Sequence, residues 1–330
     1  MKISGTAIVI VGETLIDAFP DEQVIGGAPF NVARTLAYFD CAPLMISRIG
    51  NDAASALISA DMQRFKLGMQ GMQTDSQHAT GKVAVKLDDS GDKSSHTFEI
   101  LPEQAYDYID AGLALQARAD TCPQHDQGIL YFGTLAQRHT CSRQAVHALL
   151  TQTRALKYLD LNLRAMQYSL ATIELSLQFA DVLKVNEEEL QVLAEIYLNH
   201  ENRNTALDAT TIQHTAAALI RLFHLQAVIT TLGARGYAYV DAAGQYLDSS
   251  TQPIQTEVVD TVGGGDAFSA IFLLGLQRQW PLNISLQRAH EFAAAICGVR
   301  GAVARDLHFY RLWQDRWDTA RITPLTGAGT

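Results

Sequence analysis

The stretch VVDTVGGGDAFSAIFLLGL, residues 258–276, sets three glycines (Gly263, Gly264 and Gly265) directly before an acid, Asp266, and a long apolar run. Glycine weakens a helix interior and a carboxylate is costly in a core, so the pattern asks for bare backbone and an acid side by side. Reading outward, Val258 and Val259 end a strand, the glycines turn the chain, and Asp266 starts an apolar helix. The free N–H groups of a helix N-terminus, with the positive end of its dipole, form an anion site. An acid there is also an ordinary cap, and a glycine turn with a helix cap is the plain alternative. Three glycines exceed what a cap needs. A carboxylate beside an anion site suits phosphoryl transfer to a hydroxyl, the acid taking the proton while backbone groups steady the transferred charge. No GxxxxGK[ST] loop occurs in the chain.

The surrounding 330 residues are 48% hydrophobic and 18% charged, the profile of a soluble globular protein with a sizeable core. A net charge of -10 argues against a nucleic-acid surface or binding to an anionic membrane, and leaves room for small anionic ligands. The apolar run at residues 7–11 stops at Gly12 and Glu13, too short for a signal segment or a membrane span. Cys41, Cys122, Cys141 and Cys297 are too scattered for a disulfide framework or a zinc site, and the ten histidines form no HExxH pair. A cytoplasmic location is expected.

Short apolar runs at residues 7–11, 44–49, 129–132, 158–161, 182–185 and 227–231 read as buried strands. Helical patterns at 31–39, 53–65, 142–154 and 211–223 lie between them, which predicts a parallel sheet covered on both faces. Residues 81–100 break this rhythm with two alternating strands around a turn at 88–92, and with residues 14–24 they would form a small antiparallel sheet placed as a lid. No repeat or linker interrupts the chain, so a single domain over 1–330 is expected, its lid built from about 13–25 and 80–110. Before the helix at 31–39, Gly26 and Gly27 precede Pro29, and Asn31 falls in the first turn. This reads as a tight loop entering a helix, or as backbone and amide groups suited to a polyol.

Six segments in order then resemble the ribokinase-like (PfkB family) sugar kinases: GETLID (12–17), GGAPFNVA (26–33), DLNLR (160–164), NEEE (186–189), TLGARG (231–236) and DTVGGGD (260–266). The resemblance implies an α/β three-layer sandwich with a mostly parallel sheet and a small antiparallel β lid. It makes Asp266 the catalytic base and Gly263, Gly264 and Gly265 the anion hole, with Gly264 standing where the family usually has alanine. Asn186 and Glu189 match the motif that organises Mg²⁺ and the phosphates through water. Thr231 and Gly233 match nucleotide-phosphate contacts, with Gly236 keeping their turn tight, and the late helix around 292–298 matches the wall of the adenine pocket. Asp260 matches a position beside a monovalent cation, K⁺ in this reading. Asp17, Gly26, Gly27 and Asn31 match acceptor-sugar positions, and Asn162 and Arg164 of the DLNLR segment belong with them. Tyr106 and Asp107, in a lid segment similar to fructokinase-like members, would close over the substrate. Lys184 reads as a solvent-facing lysine at a strand end.

The implied reaction is ATP-dependent phosphorylation of a sugar hydroxyl, fructose to fructose 6-phosphate first. A ribose or 2-keto-3-deoxygluconate kinase is the alternative, since Arg164 also suits a carboxylate. A catalytically silent sugar or nucleotide sensor is the rival from another class. Lid-to-lid homodimers occur in the family.

Overall fold

Along β1 (Ile8–Val11) the side chains part to opposite faces: Ile8 and Ile10 join one buried cluster, Val9 and Val11 another. The same alternation divides Met45 from Leu44 and Ile46, and Tyr158 from Leu159, so each strand supplies both faces of one sheet. The computed structural model describes residues 7–87, 96–122, 128–198, 206–249 and 257–319.

After β1 come β2 (Leu15–Ala18), β3 (Gln23–Gly26), α1 (Ala28–Tyr38), β4 (Leu44–Ile49), α2 (Ala53–Arg64), β5 (Met72–Thr74), β6 (Gly81–Leu87) and β7 (His96–Ile100). The middle of the chain holds α3 (Ala111–Thr121), β8 (Ile129–Phe132), α4 (Thr140–Thr151), β9 (Leu156–Asp160), α5 (Leu170–Phe179), β10 (Val182–Asn186), α6 (Glu187–Leu198), α7 (Ala209–Phe223) and β11 (Ala227–Thr231). The last elements are β12 (Tyr237–Asp241), β13 (Tyr246–Asp248), α8 (Gly264–Gln277), α9 (Leu282–Cys297) and α10 (Leu307–Thr319).

The large sheet runs β13-β12-β11-β10-β9-β8-β1-β4-β5 and is parallel from β11 to β5, with β12 and β13 antiparallel at one end. Helices α1, α2, α8, α9 and α10 cover the Ile8 face, and α3 to α7 cover the Val9 face. The expected layering is therefore present. Helix α8 is buried from Ala267 to Leu276, which explains why its sequence is apolar all round.

The smaller sheet has the order β3-β2-β6-β7. Two antiparallel pairs, β2–β3 and β6–β7, join through a parallel β2–β6 contact. The turn expected at 88–92 lies outside the described residues. At the base of this lid Arg138 donates to both oxygens of Asp107 at 2.7 Å, to Leu101 O at 2.6 Å and to Gln167 Oε1 at 2.6 Å. Its guanidinium also lies 5.0 Å from the Tyr106 ring centre.

One local expectation is corrected. Val258 and Val259 form no strand: they are exposed coil after β13, and the N–H groups of Val259 and Asp260 donate to Cys297 O, docking the segment on the end of α9. Among the described residues these β-branched side chains have no strand neighbour, and propensity alone makes no strand.

Replacing Arg138 by methionine would strand a buried Asp107 carboxylate. A loss of about 3–5 kcal/mol is expected in urea unfolding, and a change below about 1 kcal/mol would show that Arg138 does not anchor the lid base.

Candidate active site

The C-terminal ends of the parallel strands bring the chemistry together, where open α/β sheets form their binding crevice. Glu13 follows β1, Asn162 and Arg164 follow β9, Asn186 ends β10 and Thr231 ends β11. All of them line one cleft of about 1360 Å³. The lid side adds Asp17, Gly26 and Gly27, helix α1 adds Asn31, and the segment from Asp260 through the first turn of α8 adds Asp260, the three glycines and Asp266.

Gly263 caps α8 in the left-handed conformation, with φ 78°, and a Cβ there would overlap Ala302. Only glycine fits both demands. Asp266 falls in the first turn, where N–H groups have no carbonyl one turn back within the helix. Asn31 Nδ2 donates to Asp266 Oδ2 at 2.7 Å, and Arg34 donates to Asn31 Oδ1 at 2.5 Å. Arg34 is itself fixed by Asp61 at 2.6 Å and by Ile25 O at 3.1 Å. Asn31 therefore orients the acid as well as lining the cleft. Burial raises the Asp266 pKa, and the charge of Asp160 raises it further, against Asn31, Lys184 and Arg164. The outcome is a more basic carboxylate held in the first turn of α8.

Lys184 is not solvent-facing. It is 6% exposed and donates to Asp160 Oδ1 at 3.0 Å. A Cβ built on Gly265 would lie 2.8 Å from its Nζ, so the ammonium sits against the first turn of α8. Burial works against its charge, but Asp160, Glu189 and Asp266 outweigh that and hold its pKa above the ordinary lysine value. Asp160 also accepts from Ser269 at 2.8 Å and Tyr131 at 3.2 Å.

On the other side of Asp266, Asn186 and Glu189 form a reciprocal cap on α6. Asn186 Oδ1 accepts the Glu189 N–H and Glu189 Oε2 accepts the Asn186 N–H, both at 2.8 Å, while Glu189 Oε1 takes the Leu163 N–H at 2.7 Å. Burial raises the Glu189 pKa, with Lys184 opposing. Thr231 Oγ1 donates to Val185 O at 3.3 Å, and Gly233 and Gly236 turn the chain with φ 57° and 97°. His290, Ala293, Ala294 and Cys297 of α9 line the cleft here. Asp260 accepts from Val262 N and Gly301 N, both at 3.0 Å. Among the described residues no group of three or more His, Cys, Asp or Glu is arranged to hold a metal.

On the side of the smaller sheet, burial lifts Asp17 to about 6, with Arg164 and Arg34 opposing. Gly27 has φ 103°, and a Cβ there would lie 2.6 Å from Glu13 O. Tyr106 and Asp107 lie apart from the cleft lining: both are buried, with Asp107 held by Arg138. Glu22, at the β2–β3 turn, pairs with Arg300 and, at 3.3 Å, with Arg305, linking the lid to the loop after α9. Glu13 was not among the expected contacts, and its place one residue beyond Gly12 at the end of a central strand was the signal.

Residues 6–308 match the model of the pfkB family carbohydrate kinases. The chain belongs to that family. It is a carbohydrate kinase. A fructokinase of Salmonella typhimurium is 26% identical over 313 residues, covering 90% of this chain and 93% of its own. A Vibrio cholerae fructokinase double mutant, solved with fructose, ADP and potassium, superimposes with a TM-score of 0.74 at 23% identity over 95% of this chain and 99% of that one. An aminoimidazole riboside kinase of Salmonella enterica, solved with its riboside and an ATP analogue, gives 0.72 at 20% identity over 93% and 99%. Among the described residues no helix is long and apolar enough to cross a membrane.

Three outcomes are expected of this pfkB site. Asp266→Asn lowers kcat roughly 10²–10⁴-fold. In the parent enzyme kcat falls with acidification from a pH above the ordinary aspartate range, because the raised Asp266 pKa leaves the base protonated sooner; a profile flat down to pH about 4 would remove Asp266 from that role. Lys184→Met leaves Asp160 without its cation, and a loss of about 3 kcal/mol in denaturant unfolding is expected.

Proposed function

We propose that this kinase transfers the γ-phosphoryl group of ATP to a hydroxyl of fructose, giving fructose 6-phosphate. The observation that carries the reading is the position of Asp266: a basic, Asn31-held carboxylate at the start of α8, in one cleft with Asp17 and Gly27 on one side and Asn186, Thr231 and Gly233 on the other.

The sugar lies between Asp17, the backbone of Gly26 and Gly27, and Asn162, with Asn31 and Arg164 beside it. Asp266 takes the proton of the attacking hydroxyl as the first-turn N–H groups of α8 hold the transferred group. Lys184 supplies positive charge under that turn. ATP lies along Thr231, Gly233 and Gly236 against α9. Mg²⁺, when bound, offsets the charge of the phosphates. Asn186 and Glu189 fit it through water, since each Glu189 oxygen already accepts a backbone N–H and direct coordination would compete with the cap. Asp260, with its carboxylate turned to the Val262 and Gly301 N–H groups, stands by a K⁺ position. Tyr106 and Asp107 act on substrate through the lid they anchor. The cytoplasm supplies both substrates, and lid-to-lid pairing of two copies is part of the same reading.

Support for fructose comes from the fructokinase relatives named above. Arg164 favours a second reading, an acceptor with a carboxylate such as 2-keto-3-deoxygluconate, because its charge acts on Glu13, Asp17 and Asp266 together. ADP release from Mg·ATP across fructose, ribose, glucose, adenosine and 2-keto-3-deoxygluconate, with Asp266→Asn as control, separates them. Highest kcat/KM on fructose is expected. Preference for the sugar acid would move the assignment to Arg164, and binding of sugar and ATP without turnover would support a sensor.

A further inference from the structure

Glu13 lies in the cleft near the base, and the reading above gives it no role. Its side chain is 2% exposed, in the segment that joins β1 to the lid strand β2. The N–H groups of Glu13 and Ala28 engage the carboxyl, the second of these from the start of α1. Gly27 passes so close to Glu13 O that this corner of the cleft is rigid. Held from behind, the carboxyl still has one oxygen, Oε2, with no hydrogen-bond partner. A buried carboxyl oxygen without a donor is unfavourable, and natural sites leave one mainly where a ligand or water supplies the missing bond.

Resting on the kinase reading of this cleft, we propose that Glu13 Oε2 accepts a hydrogen bond from a hydroxyl of the bound acceptor, making Glu13 a specificity-determining residue beside Asp17. The two carboxyls then read neighbouring hydroxyls, and an acceptor lacking one leaves a buried oxygen unpaired. Asp17 alone would grip the sugar without this discrimination.

The charged and titratable groups that act on Glu13, or feel its charge, come from four directions. Arg164 follows β9, Asp266 begins α8, Tyr131 stands on β8, and Tyr106 and Arg138 belong to the lid base. Burial lifts the Glu13 carboxyl to about 7, its own and the Ala28 N–H groups and Arg164 oppose, and Asp266 adds to the rise. A hydroxyl donor favours the ionised form, so acceptor binding strengthens as pH rises through that value and then levels.

The test uses the full chain with Mg·ATP and whichever sugar of the panel gives the highest kcat/KM, together with its singly deoxygenated analogues. Glu13→Gln is expected to raise the sugar KM roughly 10–100-fold with a much smaller change in kcat, the range of a hydrogen bond to a charged group. It also flattens the pH dependence of KM near neutrality and narrows the gap between the sugar and one deoxy analogue; Glu13→Asp restores part of each. Unchanged KM, pH profile and analogue discrimination in Glu13→Gln would assign the side chain to the Gly27–Ala28 turn or to an internal water, and overturn the idea. Should that variant not fold, a parent KM that is flat across neutral pH and indifferent to every deoxy analogue overturns it equally. A parent enzyme silent on every sugar removes the kinase reading itself. Turnover with an indifferent Glu13 removes only this inference.

Discussion

Lys184 and Asp160 are direct partners in the register of β10 and β9, and their side chains meet at 3.0 Å on the face that carries Tyr158 and Val182. A buried pair of this kind gains little over an apolar one, but separating its members is expensive. Register is thereby enforced: a slip of β10 by one residue would send Lys184 into the opposite cluster, among Leu159, Leu183 and Val185, and leave Asp160 unpaired. Asp160 also accepts from Tyr131 of β8 and Ser269 of α8, so three strands and one helix share a single carboxylate. Ser269 lies one turn beyond Asp266, and the depth at which α8 sits is thus tied to the sheet. The place of Asp266 follows from strand pairing.

This dependence explains what the sequence conceals. Strands at 44–49, 129–132 and 227–231 were legible because they are apolar on both faces, and the glycine–acid turn because its residue types have few other uses. Lys184 was misread because a lysine at a strand end is ordinarily solvated. Alternation gave a clue, since Lys184 shares a face with buried Val182, but its partner is 24 residues away and visible only in the register. Val258 and Val259 have strand-like chemistry but, among the described residues, no strand to pair with. In Tyr106 and Asp107 the residue types suggested contact with substrate, whereas Arg138, in a distant segment, claims them for the base of the lid.

Charge in the cleft is finely divided. The chain is acidic overall, and Glu13, Asp17 and Asp266 add to that inside, yet Lys184 and Arg164 line the same cleft, with Asp160 and Arg34 bonded behind Lys184 and Asn31. Cations placed among these carboxylates offset the field that an acidic protein presents to an anion. The contacts of Glu22 with Arg300 and Arg305 differ in kind, because both arginines are largely exposed. Such pairs hold weakly in water, which lets the lid rest across the cleft without locking it.

The bond between Asn31 and Asp266 spans 235 residues of chain. Contacts of such separation form late, since the loop they close costs entropy before the contact repays it. During synthesis the sugar-side loops and most of the parallel sheet precede the turn that carries Asp266. A ribosome that stalls before α8 leaves Asn31 without the carboxylate it holds and the cleft without one of its walls.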